Sequence, residues 1–106
     1  MGYKDNTEPD RGVPFVRWAK SVKIRDQFEC TICHERGIYL EAHHLFSWNA
    51  YPDFRLDIDC GVTLCKFHHT NFHDCYGYGN NDIYQFQEYK QLIQAIKNIV
   101  EKKDKE

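Results

Sequence analysis

Two adjacent histidines, His43 and His44, lie in an apolar, β-prone part of this chain of 106 residues. Successive side chains of an extended segment point to opposite faces, so one ring of the pair can bind a metal while the other approaches a reacting water. Further along, His69 and His73 are four residues apart and would share one face of a helix. These two rings could therefore converge on the same ion as His43.

A second set of residues has the spacing of a structural zinc site. It consists of two pairs, each with two residues between its members: Cys30 with Cys33, and Cys65 with His68. Tetrahedral zinc is usually bound by two such pairs of thiolate or imidazole ligands, and the odd count of five cysteines argues for metal before disulfides. Cys60 and Cys75 remain rival fourth ligands in place of His68. A zinc with four protein ligands has no position for water, so we expect this ion to stabilise the fold.

Apolar periodicity and turn residues predict the elements that must position both sets. In chain order these are a helix from Pro14 to about Asp26, a strand from Ile38 into the histidine pair, a long loop over 46–60, a strand over Gly61–Leu64, a helix over Cys65–His73, and a final helix. Asp82 and Gln85 have the spacing of a capping box, which places the start of the final helix after Asp82. The predicted fold class is α+β.

The final helix carries an apolar stripe at alternating spacings of three and four residues, made of Phe86, Tyr89, Ile93, Ile96 and Val100. The stripe covers about two heptads, whereas a coiled coil requires three or four. Packing on its own domain is therefore the main interpretation, and a homodimer through this helix is the alternative. The last residues, 101–106, are charged and are expected to fray.

A chain of this length forms one domain, which we place over residues 12–100 between a flexible lead over 1–11 and a charged tail over 101–106. Hydrophobic residues make up 42% of the chain and aromatic residues 15%, which is enough for a small core. No stretch is long and apolar enough for a membrane span, and the first residues lack the apolar segment of a signal peptide. We therefore expect a cytoplasmic protein without a membrane partner.

The formal net charge of -2 is unusual for a nucleic-acid-binding protein, because phosphate binding usually leaves a basic surface. The basic residues are nevertheless concentrated, since residues 11–25 contain five of them and no acid. On the predicted first helix, Arg17, Lys20 and Lys23 fall largely outside the apolar stripe and could contact the DNA backbone. A basic face that is merely solvated explains them equally well.

Together, the Cys30-x-x-Cys33 pair, the histidine pair, the run from Asp59 to Cys65 and His69 resemble the HNH endonuclease family, in particular small free-standing enzymes encoded by phages. The resemblance extends over roughly residues 12–90. It implies a ββα-metal core, also called a His-Me finger, with a structural zinc and flanking N- and C-terminal helices. It also implies a metal-dependent DNA endonuclease that leaves 5′-phosphate and 3′-hydroxyl ends.

The resemblance assigns a role to each histidine. His44 matches the general base that activates water, and His43 and His69 match ligands of a single divalent ion such as Mg²⁺, Mn²⁺, Ni²⁺ or Zn²⁺. His73 matches a further ligand in the histidine-rich, colicin-like branch of the family. The implied partner is DNA, expected to be double-stranded. A phage-encoded enzyme would act in the host cell interior, where phage packaging proteins could be further partners.

The chain departs from the family pattern at Cys60, where the family has an asparagine. That asparagine ties the two ends of the long loop by hydrogen bonds and thereby fixes the general base. A thiol is a weak donor and acceptor and cannot bridge both ends. We therefore expect a weakened enzyme unless Asp59 or Asn49 replaces the tie.

A protein of a different class is the alternative, namely a catalytically impaired or non-catalytic zinc module that binds nucleic acid or protein. Cys60 and the negative net charge favour this alternative. A binding module, however, has no need for His43, His44, His69 and His73. A zinc deaminase is disfavoured because no His-x-Glu precedes a Pro-Cys-x-x-Cys. A zincin protease is disfavoured because His34-Glu35 is followed by Ile38 where the second histidine should stand. His34 is expected to be an ordinary surface residue.

Overall fold

The computed structural model describes residues 11–105, so the lead predicted over 1–11 lies outside the described residues except for Arg11. The described residues form three α-helices and a two-stranded antiparallel sheet. In chain order the elements are α1 (Gly12–Arg25), β1 (Leu40–His44), β2 (Gly61–Cys65), α2 (Lys66–Tyr76) and α3 (Ile83–Asp104). The predicted α+β class is confirmed.

The sheet lies as a thin layer between α1 and α2. The end of β1 pairs with the start of β2, with His44 opposite Gly61. Side chains alternate along β1, so His43 lies on one face of the sheet and His44 on the other. The ring of His43 contacts Phe72 of α2, with 4.8 Å between ring centroids, whereas His44 stacks on Trp18 of α1. The two rings therefore pack on different helices.

Two predicted segments differ in detail from the sequence-based expectation. β1 begins at Leu40, later than the predicted start at Ile38, because β2 ends at Cys65, which is the residue opposite Leu40. The loop between the strands is not irregular throughout. It contains two 3-10 turns, Pro52–Phe54 and Ile58–Cys60.

The core lies between the sheet, α2 and α3. Its buried residues are Cys30, Ile32, Leu40, Leu45, Leu64, Cys65, Phe72, Phe86 and Tyr89. Burial of such side chains stabilises the fold by about 1.5 to 3 kcal/mol for each large apolar residue. On the other face of the sheet, Trp18 and Val22 of α1 are buried, and Gly61 allows this close approach because a β-carbon there would collide with the Trp18 ring.

The start of α3 is as predicted, whereas its end lies further along the chain. The Asp82 carboxylate accepts a hydrogen bond from the Gln85 N–H at 3.0 Å, and the Gln85 side chain accepts one from the Asp82 N–H at 3.2 Å. The helix then continues through Asp104 instead of fraying from Glu101. Two lysines in its last turn favour this extension because they complement the negative end of the helix dipole.

The apolar stripe of α3 is covered along its first half. Phe86 and Tyr89 are buried in the core and Ile93 packs against it, as predicted for a helix that packs on its own domain. Ile96 and Val100 are exposed, and the homodimer through this helix stays a prediction. No helix within residues 11–105 combines the length and the apolarity needed to cross a bilayer.

Candidate metal centres

The four predicted zinc ligands lie together and are called here the knuckle group. The ligand atoms of Cys30, Cys33, Cys65 and His68 all lie within 4.8 Å of one another. Cys33 Sγ is 3.9 Å from Cys65 Sγ, and Cys65 Sγ is 3.3 Å from His68 Nδ1. Tetrahedral zinc, with bonds of about 2.0 to 2.3 Å, separates its ligand atoms by about 3.4 to 3.8 Å. The knuckle group could therefore hold a metal ion such as zinc.

The backbone around the knuckle group favours thiolates. Cys30 Sγ accepts a hydrogen bond from the Ile32 N–H, and Cys65 Sγ accepts one from the His68 N–H, each at 3.4 Å. Burial alone would raise the pKa of Cys30. Backbone hydrogen bonds to its sulfur outweigh burial, so the pKa of Cys30 is lowered. Burial raises the pKa of Cys33 to about 11, so this thiol loses its proton when a cation takes the proton's place.

The rival ligands lie elsewhere. Cys60 is in the second 3-10 turn and Cys75 is exposed on α2, and neither belongs to the knuckle group. His34 is exposed, and its Nδ1 lies 2.7 Å from the Glu29 carboxylate. It has the place expected of an ordinary surface residue.

A second cluster, the three-histidine group, consists of His43, His69 and His73, whose ligand atoms also lie within 4.8 Å of one another. His69 Nδ1 lies 2.7 Å from the Glu41 carboxylate, and His73 Nδ1 lies 2.8 Å from the Gly77 carbonyl oxygen. Both oxygens are acceptors, so both Nδ1 atoms carry a proton and donate it. When both rings are neutral, the two Nε2 atoms, 3.2 Å apart, have lone pairs that face each other.

Facing lone pairs repel each other unless a cation lies between them. Tetrahedral coordination with metal–nitrogen bonds of about 2.0 to 2.1 Å separates two imidazole nitrogens by about 3.4 Å, close to the distance between these two atoms. Burial, opposed in part by the hydrogen bond to Gly77, holds the pKa of His73 below its ordinary value, which favours the neutral ring that can bind a metal. The hydrogen bond from His69 lowers the pKa of Glu41, so a carboxylate orients this ring, as is common for metal-binding histidines.

His43 completes the group from β1. It is only 4% exposed, and within residues 11–105 its buried Nε2 has no hydrogen-bond partner. Leaving a buried polar atom unpaired costs about 1 to 3 kcal/mol, and a bound ligand would remove this cost. Burial, followed by the neighbouring rings of His69 and His73, holds the pKa of His43 well below its ordinary value. Because neutral imidazole is the form that binds metal, the three-histidine group could hold a metal ion.

His44 lies on the opposite face of the sheet among aromatic side chains. Its ring is parallel to that of Trp18, with centroids 3.9 Å apart and 6° between the planes. Its Nε2 donates to the Arg55 carbonyl oxygen at 2.9 Å, which leaves the lone pair on Nδ1. Burial lowers the pKa of His44, although the hydrogen bond to Arg55 opposes this shift. The ring is therefore held in a fixed orientation as a neutral proton acceptor.

The long loop between β1 and β2 is tied by residues that sequence reasoning did not identify. Arg55 Nε donates to the Trp48 carbonyl at 2.6 Å, while the Arg55 carbonyl accepts from His44. Trp18 Nε1 donates to the Asp57 carbonyl at 2.8 Å. The expectation of a poorly tied loop is therefore wrong, because side chains of α1 and of the loop itself hold it at several points.

Cys60 takes part in this tie through its backbone. The Leu45 N–H donates to the Cys60 carbonyl at 2.9 Å and closes the loop next to the paired strands. In the part of the chain that the structure describes, neither Asp59 nor Asn49 makes a side-chain hydrogen bond across the loop. The hydrogen bonds that tie the loop have mostly backbone carbonyls as acceptors. Every residue has such a carbonyl, so no sequence signal could have pointed to Arg55.

The basic residues predicted to meet DNA lie on α1. Arg17 and Lys20 are exposed and Lys23 is half-buried. Trp18, on the inner side of the same helix, stacks on His44. One helix thus carries both the basic side chains and the support of the His44 ring, and contact of these residues with DNA stays a prediction.

No family model, no curated protein and no solved structure matches this chain. The geometry and chemistry of the knuckle group and the three-histidine group are therefore the basis for a functional assignment.

Proposed function

We propose that this protein is a metal-dependent DNA endonuclease of the HNH type, built on a ββα-metal core. The observation that carries the proposal is the convergence of three imidazole nitrogens. The Nε2 atoms of His69 and His73 face each other at 3.2 Å with their rings already oriented by other acceptors, and a ring nitrogen of the buried His43 lies within 4.8 Å of the ligand atoms of both. β1 and α2 supply this group and β2 lies between them in the chain, which is the order that the name ββα describes.

Each part of the site then has a defined task in phosphodiester hydrolysis. His44 Nδ1 takes a proton from the attacking water, while the Arg55 carbonyl and the Trp18 ring hold that nitrogen in position. A divalent ion such as Mg²⁺, Mn²⁺, Ni²⁺ or Zn²⁺, when bound to the three-histidine group, supplies positive charge for the phosphate and the leaving oxygen. Attack at phosphorus with loss of the 3′ oxygen leaves a 5′-phosphate and a 3′-hydroxyl.

The knuckle group and α1 have supporting tasks in this proposal. Cys65 is both a member of the knuckle group and the N-cap of α2, the helix that carries His69 and His73. A structural zinc there would anchor that helix. Contacts to DNA phosphates, which position DNA without reading its sequence, would come from Arg17, Lys20 and Lys23.

Cleavage of supercoiled plasmid tests the proposal. The wild-type chain, with its knuckle group loaded and no other metal added, is expected to leave the plasmid intact. Addition of Mg²⁺, Mn²⁺, Ni²⁺ or Zn²⁺ is expected to produce nicked or linear DNA with at least one of these ions, because the three-histidine group needs its ion for chemistry. DNA that is bound but never cut with any of them would contradict the proposal and identify a non-catalytic zinc module.

The structure also changes the expectation for Cys60. Cys60→Asn is expected to leave the cleavage rate nearly unchanged, because the backbone of Cys60 and the side chain of Arg55 already tie the loop. Arg55→Ala is expected to slow cleavage by about 10²-fold, since a displacement of about 1 Å at the base can cost that much. Single-turnover rates at saturating metal measure both effects.

Arg36→Ala is the matched control, because Arg36 is an exposed arginine that pairs with Glu29 on the surface. A much faster Cys60→Asn chain would show that the loop is held too loosely in the wild type. An Arg55→Ala chain that cuts at the wild-type rate would show that the guanidinium does not position His44.

A further inference from the structure

A small cavity opens beside the three-histidine group. Its volume is about 190 Å³, and it is lined by Glu41, Lys66, His69, Thr70, His73 and Tyr78. Two of these residues belong to the three-histidine group. A phosphate bound to an ion at that group would therefore also contact this cavity. The remaining residues decide which part of a nucleotide the cavity accepts.

Tyr78 forms one wall of this cavity with a ring that is both stacked and exposed. It lies in the loop between α2 and α3, and its ring is parallel to that of His73, with centroids 4.1 Å apart and 12° between the planes. Its side chain is nevertheless 75% exposed. One face of the ring is therefore covered by His73 and the other is open to solvent.

An aromatic ring that is fixed on one face and open on the other is suited to stacking a nucleobase. Glycines on both sides of Tyr78, Gly77 and Gly79, have no side chain that could obstruct a base. Gly77 has a φ of +78°, in the left-handed region that glycine tolerates, and its carbonyl holds His73. The loop thus fixes the ring against the metal site and leaves the approach to it clear.

Lys66 supplies a positive charge on the same cavity. It is exposed at the start of α2, and within residues 11–105 its ammonium group has no hydrogen-bond partner. It interacts electrostatically with Glu41, whose carboxylate already accepts a hydrogen bond from His69. Lys66 is therefore available for a phosphate oxygen of a bound strand.

We propose that Tyr78 stacks an unpaired nucleobase next to the phosphate at the three-histidine group, while Lys66 contacts the strand's phosphate. This inference rests on the proposed nuclease function and specifies its substrate class. Bases in an intact duplex are already stacked on both faces, and moving one onto Tyr78 requires unstacking and unpairing it. The preferred substrate is therefore DNA with an unpaired nucleotide at the cleavage site, such as a gap or a single strand, over a fully paired duplex.

Binding to three DNAs of one sequence tests the inference: a paired duplex, a duplex with a one-nucleotide gap, and the single strand. The full chain is used in a His44→Ala background so that bound DNA stays uncut, with Mn²⁺ present, and fluorescence anisotropy gives the Kd. Tyr78→Ala is expected to weaken binding of the gapped and single-stranded DNAs by about 5- to 150-fold and to leave the duplex unchanged. Tyr78→Phe, which keeps the ring, is expected to bind like the parent.

Two controls separate stacking from other effects. Tyr84→Ala removes a tyrosine of α3 that is 74% exposed and lies outside the cavity, and it is expected to change no Kd. Lys66→Ala is expected to weaken the binding of all three DNAs alike. It is also expected to reduce the salt dependence of binding by an amount that corresponds to about one phosphate contact. Mn²⁺ titration of the Tyr78→Ala chain is expected to show an intact metal site.

Equal Kd values for the parent and Tyr78→Ala chains on gapped DNA would overturn the inference. So would an equal loss on all three DNAs, because that pattern indicates damage to the metal site or a general contact. Failure of the proposed nuclease function gives a different result, namely no plasmid cleavage by the wild type while the stacking pattern in binding persists.

Discussion

The Cys33→Ser chain is expected to lack a cooperative unfolding transition at room temperature. Cys33 is a half-buried member of the knuckle group, and serine has nearly the same size, so the substitution removes a metal ligand with little loss of packing. Structural zinc contributes about 10 to 16 kcal/mol in small domains, which equals or exceeds the usual 5 to 15 kcal/mol of total stability. Circular dichroism during thermal unfolding, together with elemental analysis of bound zinc, measures the effect.

Cys75→Ser is the matched control, because Cys75 is exposed on α2 and lies outside the knuckle group. It is expected to keep one zinc per chain in the knuckle group and to unfold like the wild type. A wild-type protein that is well folded after zinc is removed would show that the core is stable without a metal and that the knuckle group has another use.

The His44→Ala chain is expected to cleave DNA about 10²- to 10⁴-fold more slowly than the wild type, the usual effect of losing a general base. Its zinc content and fold are expected to be retained, because His44 is only half-buried and is not a member of the knuckle group. Single-turnover cleavage at saturating metal measures the rate. The three-histidine group is untouched, so the metal requirement is expected to stay the same.

Alanine also removes the ring that stacks on Trp18, so a second variant separates chemistry from packing. His44→Gln keeps an N–H donor for the Arg55 carbonyl but has no basic nitrogen, and it is expected to be as slow as His44→Ala. His34→Ala, which removes an exposed histidine paired with Glu29, is expected to cut at the wild-type rate. Wild-type activity in either His44 variant would show that another group takes the proton.

The residues that meet in each cluster could be predicted because local geometry determines their placement. A Cys-x-x-Cys turn brings two thiols together by itself, and a helix brings His69 and His73 to one face regardless of the rest of the fold. The alternation of side chains along β1 also places Glu41 on the same face as His43. That same rule could have identified Glu41 as the carboxylate that orients His69, although sequence reasoning did not assign it this role.

The support of His44 could not be predicted, because it depends on contacts between distant residues. Arg25 of α1 donates to the carbonyls of Ile58 and Gly61, each at 2.7 Å, and Trp18 donates to the carbonyl of Asp57. Such bonds require α1 to pack on the sheet, and backbone acceptors have no side-chain identity that a sequence could reveal. The single missing asparagine at position 60 therefore suggested a looser loop than the structure contains.

The central claim is that an ion bound by His43, His69 and His73 is required for DNA cleavage. The most direct test is the single-turnover cleavage rate of wild-type and His69→Ala chains as a function of added Mn²⁺, with the zinc content of the knuckle group held equal. The wild-type rate is expected to rise from zero to a plateau, and the His69→Ala rate is expected to reach no plateau over the same range, because a ligand of the ion is missing. A wild-type rate that does not depend on added ion, or a His69→Ala curve that coincides with the wild-type curve, would contradict the claim.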